Sequence, residues 1–350
     1  MVQYQLKLRL NSSQGKELER WLFHLQSVWN WAIRKIELDG RDKIYYSRRV
    51  FQNLLANHSG KMNIPSHILQ GMLAAGHDAW VRCWKGIAGK PKLKGQRNKL
   101  NSIPFPDPIA CPENGHIRLP GLGLMRFHRQ WIPEGKIKCG RIIRRASGWH
   151  LCLFIDAQPK TIPVIATGVV GIDPGFKNLL VLSTGEVIDH PRELEATALR
   201  LGQAQRGQNR RLASRLQERI ANRRKDRNHK LSRRLVSENA EIYFSADNHK
   251  GIAKQFGKGV ASSGHYQLRQ MLDYKCRAGG RRYVEVDPRN STMTCSFCGA
   301  ISGPTGLVGL SVRQWRCKDC GSLHDRDINA ARNTLLAGVG YTHEAVCASA

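Results

Sequence analysis

The 350-residue sequence predicts an α/β plus β protein of two or three compact units, and three observations carry that prediction. Residues 103–165 break into short apolar runs separated by Gly and Pro. Residues 168–190 read as strand, turn and strand, and a long cationic helical stretch follows. Two Cys-x2-Cys pairs, eighteen residues apart, then mark a small metal-binding module.

Taken in order, residues 3–10 alternate polar and apolar with period two, which predicts a half-buried strand. Asn11-Ser12-Ser13 offers a helix cap. A helix is predicted over Gln14 to Leu38, with Leu18, Trp21, Leu22, Leu25, Val28, Trp29, Ala32 and Ile36 at helical spacing. A second helix is predicted over Ser66 to Trp84. Its tryptophans could stack on bases, but at helical spacing on apolar faces they read more simply as core. Gly86 to Asn101 is loop-like and carries five cations and no acid. Lys90, Lys92 and Lys94 there are candidates for phosphate contact, against the plainer reading of a solvated loop. The runs at 115–119, 124–127, 136–139 and 149–155 predict a small β-barrel or β-sandwich, and Thr161 to Thr167 reads as a linker.

Strands are then predicted at 169–173, 178–182 and 186–188. Between Arg206 and Arg234 lie twelve Lys or Arg and two acids, with an apolar stripe at Leu212, Leu216, Ile220 and Ala221. One long helix is expected here, with a break near Asp226 as an option. A solvated helix would interleave acids in i,i+4 pairs, and this one hardly does. Arg210, Arg211, Arg215, Arg219, Arg223, Arg224, Lys230 and Arg233 are therefore read as a phosphate-gripping face.

Fifty-six Lys and Arg against 27 acids give a formal net charge of +29, which points to a polyanionic partner. No apolar stretch approaches the roughly 18–20 residues of a membrane-spanning helix, so no membrane partner is expected. The N-terminus lacks an h-region and a cleavage site, and the ten cysteines are read in a reducing cytosol. Cys295, Cys298, Cys317 and Cys320 have the spacing for tetrahedral thiolate coordination of one structural Zn²⁺, with Gly299 and Gly321 following each pair. Cys83, Cys111, Cys139, Cys152, Cys276 and Cys347 are read as small hydrophobes. No triad, phosphate-binding Gly loop or dinucleotide fingerprint appears, which removes the hydrolase, NTPase and dehydrogenase readings.

Asp173, in Gly171-Ile-Asp-Pro-Gly175, and Asp327, in His324-Asp-Arg-Asp-Ile-Asn-Ala-Ala331, are candidate Mg²⁺ ligands. Alone, each has a plainer reading, the first as a turn and the second as a helix cap. Together with Arg219–Ser232, the cysteine pairs and Val28-Trp-Asn-Trp-Ala32, they resemble the TnpB (OrfB) family of transposon-encoded RNA-guided nucleases, relatives of type V CRISPR effectors. The resemblance spans nearly the whole chain. It implies a β-barrel (1–10 and 103–165) with a helical recognition insert (11–102). It implies an RNase H-like, RuvC-type domain (166–290 and 322–338) interrupted by a zinc ribbon (291–321), and a tail (339–350). Guide RNA and a double-stranded DNA target beside a short flanking motif are the implied partners, in the bacterial cytoplasm. Asp173 and Asp327 match the first and third catalytic carboxylates.

The second carboxylate of the family, a Glu ending a strand, is replaced here. Ile242-Tyr-Phe ends in Ser245-Ala246, which places Ser245 at the Glu position. A neutral hydroxyl cannot supply the charge that holds a metal. Asp247 is the possible substitute, but two residues on it sits about 6–7 Å along the strand. The leading expectation is RNA-guided DNA binding without cleavage, such as transcriptional repression. An active nuclease completed by Asp247, which alone would need Mg²⁺, and a guide-independent zinc protein are the alternatives.

Overall fold

The computed structural model describes residues 2–128, 130–157, 167–175, 177–190, 193–246, 263–305, 309 and 311–340, with backbone alone at 193–195. The chain divides into two units, Met1–Pro159 and Lys160–Ala350. The predicted linker falls at this division and lies almost wholly outside the described residues, as do Asp247 and Cys347.

The first unit opens with β1 (Val2–Arg9) and α1 (Ser12–Arg41). Asn11 caps α1 in a capping box: its side chain accepts from Gln14 N at 2.8 Å, and the Gln14 side chain accepts from Asn11 N at 3.3 Å. The helix runs one turn past the predicted Leu38, where Lys35 reaches Asp39 at 2.9 Å across the last turn. Two short helices, α2 (Arg48–Gln52) and α3 (Ser59–Met62), lead to α4 (Ser66–Trp84), which spans the predicted range. Then follow β2 (Ser102–Phe105), β3 (His116–Leu119), β4 (Gly123–Phe127), β5 (Lys136–Arg145) and β6 (Gly148–Asp156).

These strands form one six-stranded antiparallel sheet in the order β2-β5-β6-β1-β4-β3. β1 belongs to two ladders, pairing Val2–Lys7 with β6 and Leu8–Arg9 with β4. The predicted barrel is thus an open ladder, because among the described residues β2 and β3 are not bonded to each other. The helices close the core instead: Trp21, Leu25, Ile33, Leu69 and Leu73 join Leu6, Phe105, Ile142 and Leu153 in one apolar cluster. Trp21 and Trp80 are core as predicted, whereas Trp84 is 54% exposed. Cys152 and Cys276 are buried, but Cys111 is exposed and does not pack as a small hydrophobe.

The second unit carries β7 (Gly168–Pro174), β8 (Leu180–Leu182) and β9 (Val187–Ile188), then α5 (Glu193–Arg206) and α6 (Arg210–Glu238). β10 (Asn239–Ser245), α7 (His265–Ala278) and β11 (Arg282–Val286) follow. A hairpin, β12 (Gln314–Arg316) and β13 (Leu323–Asp325), leads into α8 (Arg326–Val339). The main sheet runs β11-β10-β7-β8-β9: an antiparallel meander of β7–β9, with β10 and then β11 added in parallel to β7. Leu231, Leu235 and Val236 of α6 and Leu268 and Leu272 of α7 pack with Val170, Ile172, Ile242 and Phe244. α8 takes the other face.

The cationic stretch is not one helix. It breaks at Gly207-Gln208-Asn209, where Gln208 has φ +50°, and Asn209 caps α6 by accepting from Leu212 N at 3.0 Å. No break occurs at Asp226, which instead holds Lys230 at 2.8 Å, an i,i+4 pair inside a continuous helix. Of the predicted stripe only Leu216 is buried, because α6 packs mainly through its C-terminal third.

Candidate nuclease site, zinc cluster and nucleic-acid interface

Sheet register and a missing side chain bring the carboxylate positions together. β10 pairs Tyr243 with Gly171 and Phe244 with Ile172, so Ser245 comes abreast of Asp173 on the neighbouring strand. Ile172 and Phe244 point into the α6–α7 core, so by alternation Asp173 and Ser245 face α8. α8 lies directly on β7 because Gly171 has no Cβ. One placed there would lie 2.6 Å from Leu335 N and would overlap the Ala331 carbonyl. Asp327 stands one turn before Ala331, about 6 Å toward the helix N-terminus.

The direction of α8 is fixed by two asparagines. Asn329 Nδ2 donates to Thr294 O at 2.8 Å, and Asn333 Nδ2 donates to Ser291 O at 2.7 Å. Ser296 N donates back to Asn329 Oδ1 at 2.9 Å. The chain leaving the C-terminal end of β11 is thus bound to the first half of α8. Asp327 therefore sits at the same end of the sheet as Asp173 and Ser245. These asparagines escaped the sequence reading because their partners lie more than thirty residues away.

Chemically, the three positions differ. Asp173 is half-buried. Asp327 faces Arg313 Nη1 at 3.3 Å, a half-exposed ion pair with the segment before β12. Helix capping falls to Asp325, whose Oδ1 accepts from Asp327 N and Ile328 N at 3.0 Å each. Ser245 is fully buried, and its Oγ has no hydrogen-bond partner among the described residues. Two Mg²⁺ ions need several converging carboxylates, and at one of these three positions the chain brings a buried neutral hydroxyl. An orphaned buried hydroxyl costs stability. Ser245→Ala is therefore expected to leave stability unchanged or raise it by up to about 1 kcal/mol, read as a urea midpoint. A loss of that size would mean that the hydroxyl has a partner.

The four sulfurs of Cys295, Cys298, Cys317 and Cys320 all lie within 4.8 Å of one another. Cys295–Cys320 and Cys298–Cys317 are each 3.7 Å apart, close to the edge of about 3.8 Å that a tetrahedron with 2.3 Å zinc–sulfur bonds requires. Gly299 (φ +80°) and Gly321 (φ +76°) adopt the left-handed turn that closes each knuckle. Ser302 Oγ donates to Cys317 Sγ at 3.2 Å, and His324 Nε2 stands 3.0 Å from Cys295 Sγ. The donor set fits zinc, with every coordination position filled by thiolate.

On α6, Arg210, Arg211, Arg215, Arg219, Arg223 and Arg233 are exposed and Arg224 is half-buried, while Lys230 pairs with Asp226. The Asn228–Ser232 part of the family-like segment does structural work. Lys275 Nζ donates to His229 O at 2.7 Å and to Ser232 Oγ at 2.6 Å, clamping α7 to α6. Burial, with Arg233 nearby, pulls Lys275 down to about 8. In the first unit the basic loop is pinned to α1: Asn30 Nδ2 donates to Lys94 O at 2.8 Å, and Lys94 N donates to Asn30 Oδ1 at 2.7 Å. Lys90 pairs with Glu37 at 2.6 Å, Lys92 is exposed, and Lys94 lies over the Trp29 ring.

Comparison with known proteins identifies the family. Residues 153–246 match the "Probable transposase" (OrfB, IS605) family model, and residues 265–334 match the Cas12f1-like TNB domain. A protein of Streptomyces pristinaespiralis named as an RNA-guided DNA endonuclease is 37% identical over 93% of this chain and 86% of its own length. The chain belongs to the TnpB (OrfB) family. InsQ of Escherichia coli (strain K12), named likewise, is 26% identical over 78% of this TnpB-family chain and 75% of its own. A Cas12f1 chain solved with a single-guide RNA and target DNA aligns over 96% of this chain and 99% of its own, at 16% identity and a TM-score of 0.40.

Proposed function

We propose that this TnpB-family chain is an RNA-guided DNA-binding protein that acts by occupying its target, as a transcriptional repressor does, and does not cut it. The observation that carries the proposal is Ser245: fully buried, abreast of Asp173, at the strand end where the family's second carboxylate belongs. Losing a metal-positioning carboxylate should slow cleavage by roughly 10³-fold or more.

The strand order, a three-stranded meander followed by two parallel additions, supports reading residues 166–290 and 322–338 as the RNase H-like, RuvC-type domain. We read 291–321 as its zinc ribbon, and the first unit as the β-domain (1–10 and 103–165) with its helical recognition insert (11–102). In this reading guide pairing chooses the sequence, and the protein grips backbones and reads a short flanking motif beside the target.

The test is to sequence the RNA that co-purifies with the full chain and program that complex against a matching plasmid with Mg²⁺. Specific retention without nicking supports the proposal. Recovery of no specific RNA removes guided binding. On α6, the triple variant Arg211→Gln, Arg215→Gln, Arg219→Gln is expected to flatten the dependence of log affinity on log salt by roughly 2–3, if each cation meets one phosphate. A filter-binding titration reads that slope, and an unchanged slope would remove this face from the interface.

A further inference from the structure

We propose that the outer face of β3, β4 and β1 holds a single backbone phosphate of a nucleic-acid strand, gripped by Arg9 and Arg126 with His116. The register sets these residues in one row across three strands: His116 opposite Arg126, and Arg126 opposite Arg9. Directly opposed side chains have Cβ atoms about 4.5–5.5 Å apart, and like charges there are destabilising. A sheet that needed only to fold would place an acid or an uncharged residue at one of these positions. Both arginines are exposed.

The row borders a hollow of about 310 Å³, completed by His128 and the Asn114–Gly115 turn, and among the described residues no carboxylate lines it. The acid nearest in sequence, Glu113, meets His116 through main-chain bonds: Glu113 N donates to His116 O at 2.9 Å, and His116 N donates to Glu113 O at 2.7 Å.

How Arg9 is held is informative. Its Nε and Nη2 donate to His128 Nδ1 at 3.3 and 3.2 Å. An Nδ1 that accepts from a guanidinium is the unprotonated nitrogen of a neutral imidazole, and burial, with Arg9 and Lys7 adding to it, lowers the proton affinity of His128. A carboxylate in that place would orient the guanidinium and cancel its charge; a neutral imidazole orients it and leaves the charge for a ligand. His116 is fixed in turn by Nδ1 to Asn114 O at 3.0 Å. Two guanidiniums and an imidazole converging on one hollow are the donor set of a phosphate site, and an arginine fork matches phosphate oxygens in pairs. That the phosphate belongs to nucleic acid rests on the function proposed above; the anion preference of the hollow does not.

Arg126→Glu, in the full chain, tests the site, because it places an acid opposite Arg9 and turns a repulsive pair into an attractive one. The melting temperature of the variant is expected to equal or exceed that of the unmodified protein. Inorganic phosphate, compared with chloride at equal ionic strength, should raise the melting temperature of the unmodified protein and not that of the variant. Affinity for a short labelled single-stranded RNA or for a duplex DNA of the same sequence should fall about tenfold, with a shallower salt slope, while the remote Arg49→Glu changes both far less. A loss on one of the two says whether RNA or DNA donates the phosphate; a loss on both supports a site for the backbone they share. A lower melting temperature for Arg126→Glu, or an equal response of both proteins to phosphate, overturns the site. If neither nucleic acid binds the unmodified protein, the functional reading falls while the phosphate comparison still decides the site.

Discussion

Removing the metal from the four-cysteine cluster, or replacing Cys317 with serine, should unfold the ribbon while the main sheet stays folded. Among the described residues, the apolar cluster of the ribbon has Cys295, Trp315 and Cys317 as its buried members, far too little to hold a fold. Structural zinc contributes about 10–16 kcal/mol of apparent binding energy in comparable small sites, and that energy is folding energy. Among the described residues the core of the main sheet shares none with this cluster, so it should persist. The damage should nonetheless reach the acid site. Asn329 and Asn333 hold the 291–294 segment, and Arg313, partner of Asp327, lies within the ribbon. Metal analysis should find one zinc per chain, and its chelation should open tryptic cleavage at Arg313 and Arg316 while β10 stays protected from hydrogen exchange. A chain without zinc, or one whose ribbon resists trypsin after chelation, would contradict this.

The second large effect is expected from a single methyl group. Gly171→Ala puts a Cβ 2.6 Å from Leu335 N, 2.8 Å from Leu335 Cβ and in overlap with the Ala331 carbonyl. Two of these atoms are helix backbone, which cannot rotate away, so α8 must lift off β7. Overpacking of this kind costs about 3 kcal/mol or more, and it also pulls Asp327 away from Asp173. Gly202→Ala in α5 is the matched control. Among the described residues its Cβ meets Arg206 Nη1 alone, at 3.4 Å, so it should gain about 0.5–1 kcal/mol from helix propensity. Urea denaturation of the two variants reads the contrast; a Gly171→Ala midpoint close to that of Gly202→Ala would mean that α8 does not lie on β7.

What was legible in the sequence follows the range of the forces involved. α4 was visible to the residue, because its apolar period and its flanking Pro and Lys are local. The zinc cluster was visible because its ligands come in tight pairs. The break between α5 and α6 is hidden by the continuous cationic run, which reads as one long helix with Asp226 as its one optional interruption. Its carboxylate instead bridges to Lys230 and supports the helix, while Gly207 and Gln208 end the turn before. The buried stripe of α6 was placed too early because which third of a long helix meets the sheet is decided by tertiary packing. The same limit hid the Asn329–Asn333 clamp and the cationic row of Arg9, Arg126 and His116, whose members are brought together only by strand register. Ser245 is the intermediate case: the resemblance to the family marks its position, and strand register sets it beside Asp173.

The most direct test of the central claim is one plasmid assay with the guide-loaded protein and Mg²⁺, scored for both occupancy and strand breaks. The account predicts stable, guide-dependent occupancy and no nicking above background, with the same result for Asp173→Ala. Guide-dependent cutting that Asp173→Ala abolishes would contradict it, and would make Asp247 the first residue to examine as the missing ligand.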